Sequence, residues 1–156
     1  MGEGISFICK HCGKENIALW GIGMFFLQSY KETIQQVKNG ECGAEYQKLV
    51  ERFPVYGINT EKYVFTCDRC NTWRCEKDMT FYVPKEKDSD LTYHETEDSS
   101  KKDYKYIREV NHRCPKCSRP MRRMSHNEAM NRLSTGWCGY CGAVNNTEDI
   151  SHVMWD

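Results

Sequence analysis

The chain has 156 residues, 22 basic and 22 acidic side chains, and ten cysteines. Zero formal charge excludes a partner held by bulk polyelectrolyte attraction, and the length suits one or two small domains. The apolar run Ile17 to Leu27 is eleven residues long, too short to cross a bilayer and without a small-residue cleavage site behind it. No membrane is expected, and a reduced cytoplasmic protein with metal-bound thiolates is favoured over a disulfide scaffold.

In chain order, Phe7 to Cys9 reads as a short strand. Gly21 and Gly23 argue against a helix in the apolar run and point to a buried turn. A helix is predicted from Phe25 to Lys38, with Phe26, Tyr30, Ile34 and Val37 on one face and Asn39-Gly40 as its stop. A second, Ala44 to Phe53, gathers Tyr46, Leu49, Val50 and Phe53 and ends at Pro54. Lys62 to Thr66 reads as a strand. Trp73 to Val83 alternates at period two as a half-buried strand does. Residues 84–103 are too polar to offset their ordering entropy and read as a linker or long loop. Tyr104 to Val110 and Arg119 to Met124 are further strands. Ser125-His-Asn-Glu128 has the form of a capping box before a short helix to Leu133, and a polar tail ends at Asp156.

Four Cys-x-x-Cys turns punctuate these elements: Cys9/Cys12, Cys67/Cys70, Cys114/Cys117 and Cys138/Cys141. Each offers two thiolates to one ion, and two turns complete the four-sulfur tetrahedron of a structural zinc site. The third and fourth are separated by twenty residues, which fits a known two-knuckle zinc spacing. The first and second are separated by fifty-four. Loop closure grows only logarithmically with length, so other pairings stay open. The polar stretch favours sequential pairing, with Cys9, Cys12, Cys67 and Cys70 in one lobe and Cys114, Cys117, Cys138 and Cys141 in the other. The expected fold is small α+β. A lobe over 1–83 carries a helical-hairpin insertion at about 17–54, and a second lobe spans 104–156. Thin cores of this size need metal. On this division, chelation melts the second lobe fully and leaves helical signal in the first.

The turns resemble those of the zinc-ribbon and rubredoxin-like superfamily, and Cys114-Pro-Lys-Cys117 is close to its Cys-Pro-x-Cys-Gly form, with Ser118 in the glycine's place. The Gly21 to Met24 turn, Asn39-Gly40 and Cys67-Asp-Arg-Cys70-Asn-Thr-Trp73 resemble uncharacterised bacterial zinc-ribbon proteins. The resemblance implies two zinc ions per chain and no particular reaction. Iron, which also accepts four thiolates, is the lesser expectation, because the two knuckle forms stand in the reverse of the rubredoxin order.

No catalytic residue is expected. His94, His112, His126 and His152 lack metalloprotease spacing, His11 is redundant between two cysteines, and no phosphate loop is present. Cys42 and Cys75 read as small hydrophobes. The favoured function is a binding or adaptor module for an unidentified protein partner. One alternative is a nucleic-acid binder using Arg113, Lys116, Arg119, Arg122, Arg123 and Arg132, six bases against the lone acid Glu128 between 111 and 133, with Trp137 and Tyr140 for stacking. A second is a rubredoxin-like iron electron carrier.

Overall fold

A computed structural model describes residues 2–21, 23, 25–86, 103–145 and 150–155. In chain order these form β1 (Gly2–Ile8), β2 (Glu15–Trp20), α1 (Phe26–Lys38), α2 (Ala44–Arg52), β3 (Gly57–Ile58) and β4 (Lys62–Cys67). There follow β5 (Thr72–Lys77), β6 (Phe81–Pro84), β7 (Tyr104–Arg108), β8 (Arg122–Arg123), α3 (His126–Leu133) and β9 (Ser151–Trp155). They divide into two compact units. Unit 1 comprises Met1–Met24, Glu61–Lys77 and Asn111–Asp156, and unit 2 comprises Phe25–Thr60 and Asp78–Val110.

Unit 1 is built on two antiparallel sheets, β2-β1-β9 and β5-β4-β8. Alternation along β1 and β2 sends Ile5, Phe7, Ala18 and Trp20 inward, where they meet Val64, Trp73, Met124, Leu133 and Trp137 in one apolar cluster. α3 starts as its capping box dictates, with the Glu128 N–H donating to Ser125 Oγ at 3.2 Å. It buries Ala129 and Leu133 in that cluster. The final residues are not a polar tail throughout, because β9 pairs with β1, Val153 opposite Gly4. An edge of β1 left bare would expose unpaired backbone groups, and β9 covers it.

Unit 2 holds no knuckle cysteine. Val37 of α1, Tyr46 of α2, Ile58 of β3 and Phe81 of β6 form its buried centre. The Tyr46 hydroxyl donates to the Met79 carbonyl at 2.5 Å, and Tyr56 stacks on Phe81 with ring centroids 5.2 Å apart. The third sheet, β3-β6-β7, lies wholly in this unit.

Several expectations change. Ile17 belongs to strand β2 rather than to the helical insertion. The predicted long strand from Trp73 to Val83 is two strands, β5 and β6, broken where Met79 takes a positive φ of 64°. The division at 84–103 is replaced by a nested one, in which the chain leaves unit 1 at residue 25, returns at 61, leaves again at 78 and returns at 111. The physical reason is burial. The helical hairpin needs β6 and β7 to cover its apolar face, and those strands come from the second excursion. Residues 87–102 of the polar stretch, with Ile22, Met24 and the Phe26 side chain, lie outside the described residues.

Candidate metal centres

All four Cys-x-x-Cys turns share one backbone form. The residue before the first cysteine pairs with the residue six beyond that cysteine: Ile8 with Glu15, Thr66 with Trp73, Arg113 with Pro120, and Trp137 with Val144. Closing so tight a loop requires a left-handed residue just after the second cysteine. Gly13, Asn71, Ser118 and Gly142 fill that place with φ of 69°, 47°, 57° and 78°. In each turn the first cysteine is buried and the second is more open.

The turns do not combine in sequence. The sulfurs of Cys9, Cys12, Cys138 and Cys141 form one group, and those of Cys67, Cys70, Cys114 and Cys117 the other, all within 4.8 Å of one another in each. This corrects the expectation of sequential pairing. The first knuckle meets the last, the second meets the third, and both groups lie in unit 1. Strand pairing decides it. β8, which follows the third knuckle, hydrogen-bonds to β4, which leads into the second. Hydrogen bonds also tie the second hairpin to the fourth knuckle, from Thr72 Oγ1 to the Gly139 carbonyl and from Trp73 Nε1 to the Trp137 carbonyl at 2.8 Å.

The outer group has Cys9 Sγ 3.6 Å from Cys141 Sγ and Cys12 Sγ 3.7 Å from Cys138 Sγ. In the inner group Cys67 and Cys117 are 3.7 Å apart. A disulfide needs about 2.05 Å. A tetrahedral ion with sulfur at about 2.3 Å sets its ligands about 3.8 Å apart, so the donor set and spacing fit such an ion.

The outer group carries a reciprocal support that the sequence reading missed. Asn16, seven residues after Cys9, donates from Nδ2 to Cys138 Sγ at 3.5 Å and accepts the Gly139 N–H at 2.9 Å. Asn145, seven residues after Cys138, donates to Cys9 Sγ at 3.5 Å and accepts the Lys10 N–H at 2.8 Å. Both asparagines are buried. The signal was available, because only the first and fourth knuckles read Cys-x-x-Cys-Gly-x-x-Asn. That shared pattern also marks which two knuckles belong together. Among the described residues the inner group has no such pair, and it packs instead against Phe65 and Met121.

Electrostatics separate the thiols within each group. Burial opposes ionisation of Cys9, but the backbone N–H groups of Cys12 and His11 and the Asn145 amide bring it down to about 6. Burial likewise opposes Cys114, and the N–H groups of Lys116 and Cys117 bring it to about 7. Cys117 above all, then burial and the remaining sulfurs, pushes Cys70 up to about 12. The Ala143 N–H favours a Cys141 thiolate, yet burial and the three neighbouring sulfurs raise it to about 12. Each group thus starts with one ready thiolate, and a bound cation would favour ionising the raised thiols Cys12, Cys70 and Cys141.

The other candidates lie elsewhere. Cys75 donates to the Leu19 carbonyl at 3.0 Å, and burial raises its thiol. Cys42 packs in unit 2. The basic segment is largely engaged within the chain. Arg122 forks onto Glu128 at 2.7 and 2.8 Å, Arg113 donates to the Ser118 carbonyl, Arg123 lies over Tyr63 and Arg132 over Trp137. Among the described residues no helix is long and apolar enough to cross a membrane.

No protein-family model, curated protein or solved structure matches the chain. Its class is therefore given by its site: a small α+β chain with two four-cysteine groups able to hold metal ions.

Proposed function

We propose that the chain is a zinc-scaffolded binding module, with a structural zinc ion at each four-cysteine group and no catalytic chemistry of its own. The sulfur separations of 3.6–3.7 Å carry the reading. The four like-shaped knuckles support a zinc-ribbon architecture, nested rather than tandem. In such a module metal fixes the four knuckles beside the apolar cluster of unit 1, and the surface around the knuckles is left to recognise a partner.

Elemental analysis of the purified protein tests this. Two zinc ions per chain are expected, with colourless protein. Iron with a red thiolate absorption moves the chain to electron transfer, and a single ion, or none with disulfides formed, overturns the reading.

A further inference from the structure

A cavity of about 320 Å³ opens in unit 1 beside β2, β5 and the third and fourth knuckles. Three exposed cations line it, Lys14, Arg74 and Lys116, against one acid, Glu76. Unlike Arg122, neither Arg74 nor Lys116 has an ion-pair partner among the described residues. The Tyr140 ring is 43% exposed, and Lys14 Nζ sits 4.8 Å from its centroid. Ile17 adds an apolar wall that is 45% exposed.

We propose that this cavity binds a nucleotide unit, its base on Tyr140 and Ile17 and its phosphate among Lys14, Arg74 and Lys116. Unpaired cations converging on one mouth favour an oxyanion, as clefts lined by one sign of charge concentrate the opposite charge. The exposed ring beside them is a surface that bare phosphate leaves wet and a base covers, and stacking of this kind accepts any base. The volume lies at the small end of ligand pockets, about 300–1,000 Å³. A base on the ring frees the Lys14 ammonium for the phosphate. These residues differ from the arginine segment expected from the sequence, sharing only Lys116 and Tyr140 with it. The proposal rests on the zinc-scaffold reading, since Lys116 and Tyr140 sit inside knuckles whose shape the metal fixes.

The test titrates the metal-loaded full chain, its zinc content measured in the same sample, with inorganic phosphate, AMP and an eight-nucleotide single-stranded DNA at low salt. Binding of AMP or DNA above phosphate is expected. The double variant Arg74→Glu, Lys116→Glu should lose at least tenfold, and Arg119→Glu, outside the cavity, should lose little. Tyr140→Ala should weaken the base-bearing ligands about tenfold, within the loss a stacking ring causes, and leave phosphate unchanged. If Tyr140→Ala sheds zinc, the charge variants decide. DNA binding much tighter than AMP identifies a nucleic-acid chain as the source, and equal binding a free nucleotide. Zinc-loaded protein that binds neither, or equal loss in Arg119→Glu and the double variant, overturns the site. Absence of zinc overturns the scaffold reading instead.

Discussion

Asn71 Nδ2 donates to the Gly142 carbonyl at 3.1 Å, joining the residue that closes the second knuckle to the one that closes the fourth. Both sit in the left-handed region. The contact runs from the inner four-cysteine group to the outer one, so the two groups are fastened at their turning points.

A side chain at Gly142 strains that fastening twice. Its φ is 78°, and an added Cβ meets the Asn71 amide nitrogen and carbonyl oxygen, each at 3.1 Å. Gly142→Ala should cost about 1–2 kcal/mol. The reverse change at the third knuckle should help, since Ser118 holds φ 57° with a Cβ in place. Ser118→Gly should raise stability by several tenths of a kcal/mol to about 1 kcal/mol. Thermal melts of the metal-loaded variants check both signs.

The asparagine pair sets the outer group apart. Asn16→Ala strips the buried Gly139 N–H of its acceptor, Asn145→Ala strips the part-buried Lys10 N–H, and each removes a donor from a sulfur, at a cost of about 1–3 kcal/mol. Metal affinity at the outer group should fall roughly 10–100-fold, as it does when groups supporting metal ligands are removed. The inner group should keep its ion. Competition with a coloured chelator, read as two separate equilibria, measures this, and equal weakening of both ions would refute the assignment.

Acid should displace the metal, and loading should release protons. Cys12, Cys141 and Cys70 are raised, the latter two to about 12, so all three are protonated at neutral pH before metal arrives. Filling both groups then releases at least these three protons, measurable with an indicator in weak buffer. Cys9 and Cys114, lowered to about 6 and 7, supply the first thiolate of each group. That thiolate is lost as pH falls through those values, so affinity should drop steeply below neutrality. Affinity flat from pH 8 to 5 would contradict it.

Chelation should unfold unit 1 and spare unit 2. Cys67→Ser and Cys114→Ser disable the same inner group and should give the same phenotype, with the helical signal of α1 and α2 retained in both. Unit 2 depends instead on Phe81, which is fully buried. Phe81→Ala should cost about 3–5 kcal/mol and melt those helices with metal still bound. Circular dichroism with parallel metal analysis distinguishes the two routes.

The eight clustered cysteines, both long helices and the Ser125 cap were legible because each depends on residues close in sequence. Asn39-Gly40 and Pro54 stop α1 and α2 through local backbone chemistry. The partner of each knuckle was not legible from loop length, because a logarithmic entropy barely distinguishes one closure from another. Strand contacts such as Thr66 with Arg122 decide it. Asn16 and Asn145 do carry a sequence pattern, but an asparagine after a knuckle reads as a turn residue until its partner across the four-cysteine group is known. The assembly of unit 2 from two excursions was hidden for a related reason. Val37 and Phe81 are each ordinary apolar positions, and nothing in either segment alone names the other.

The meeting of the first and last knuckles has a consequence in time. Cys12 and Cys138 are 126 positions apart, and a ribosome covers that distance in roughly 6–25 s at about 5–20 residues per second. The inner knuckles, with Cys67 and Cys117 separated by 50 positions, are all synthesised before the fourth knuckle exists. The nascent chain therefore carries Cys9 and Cys12 as an unshielded dithiol until the fourth knuckle is made. Oxidants and stray soft metals have their best access to that pair then, before Asn145 and its knuckle arrive to close over it.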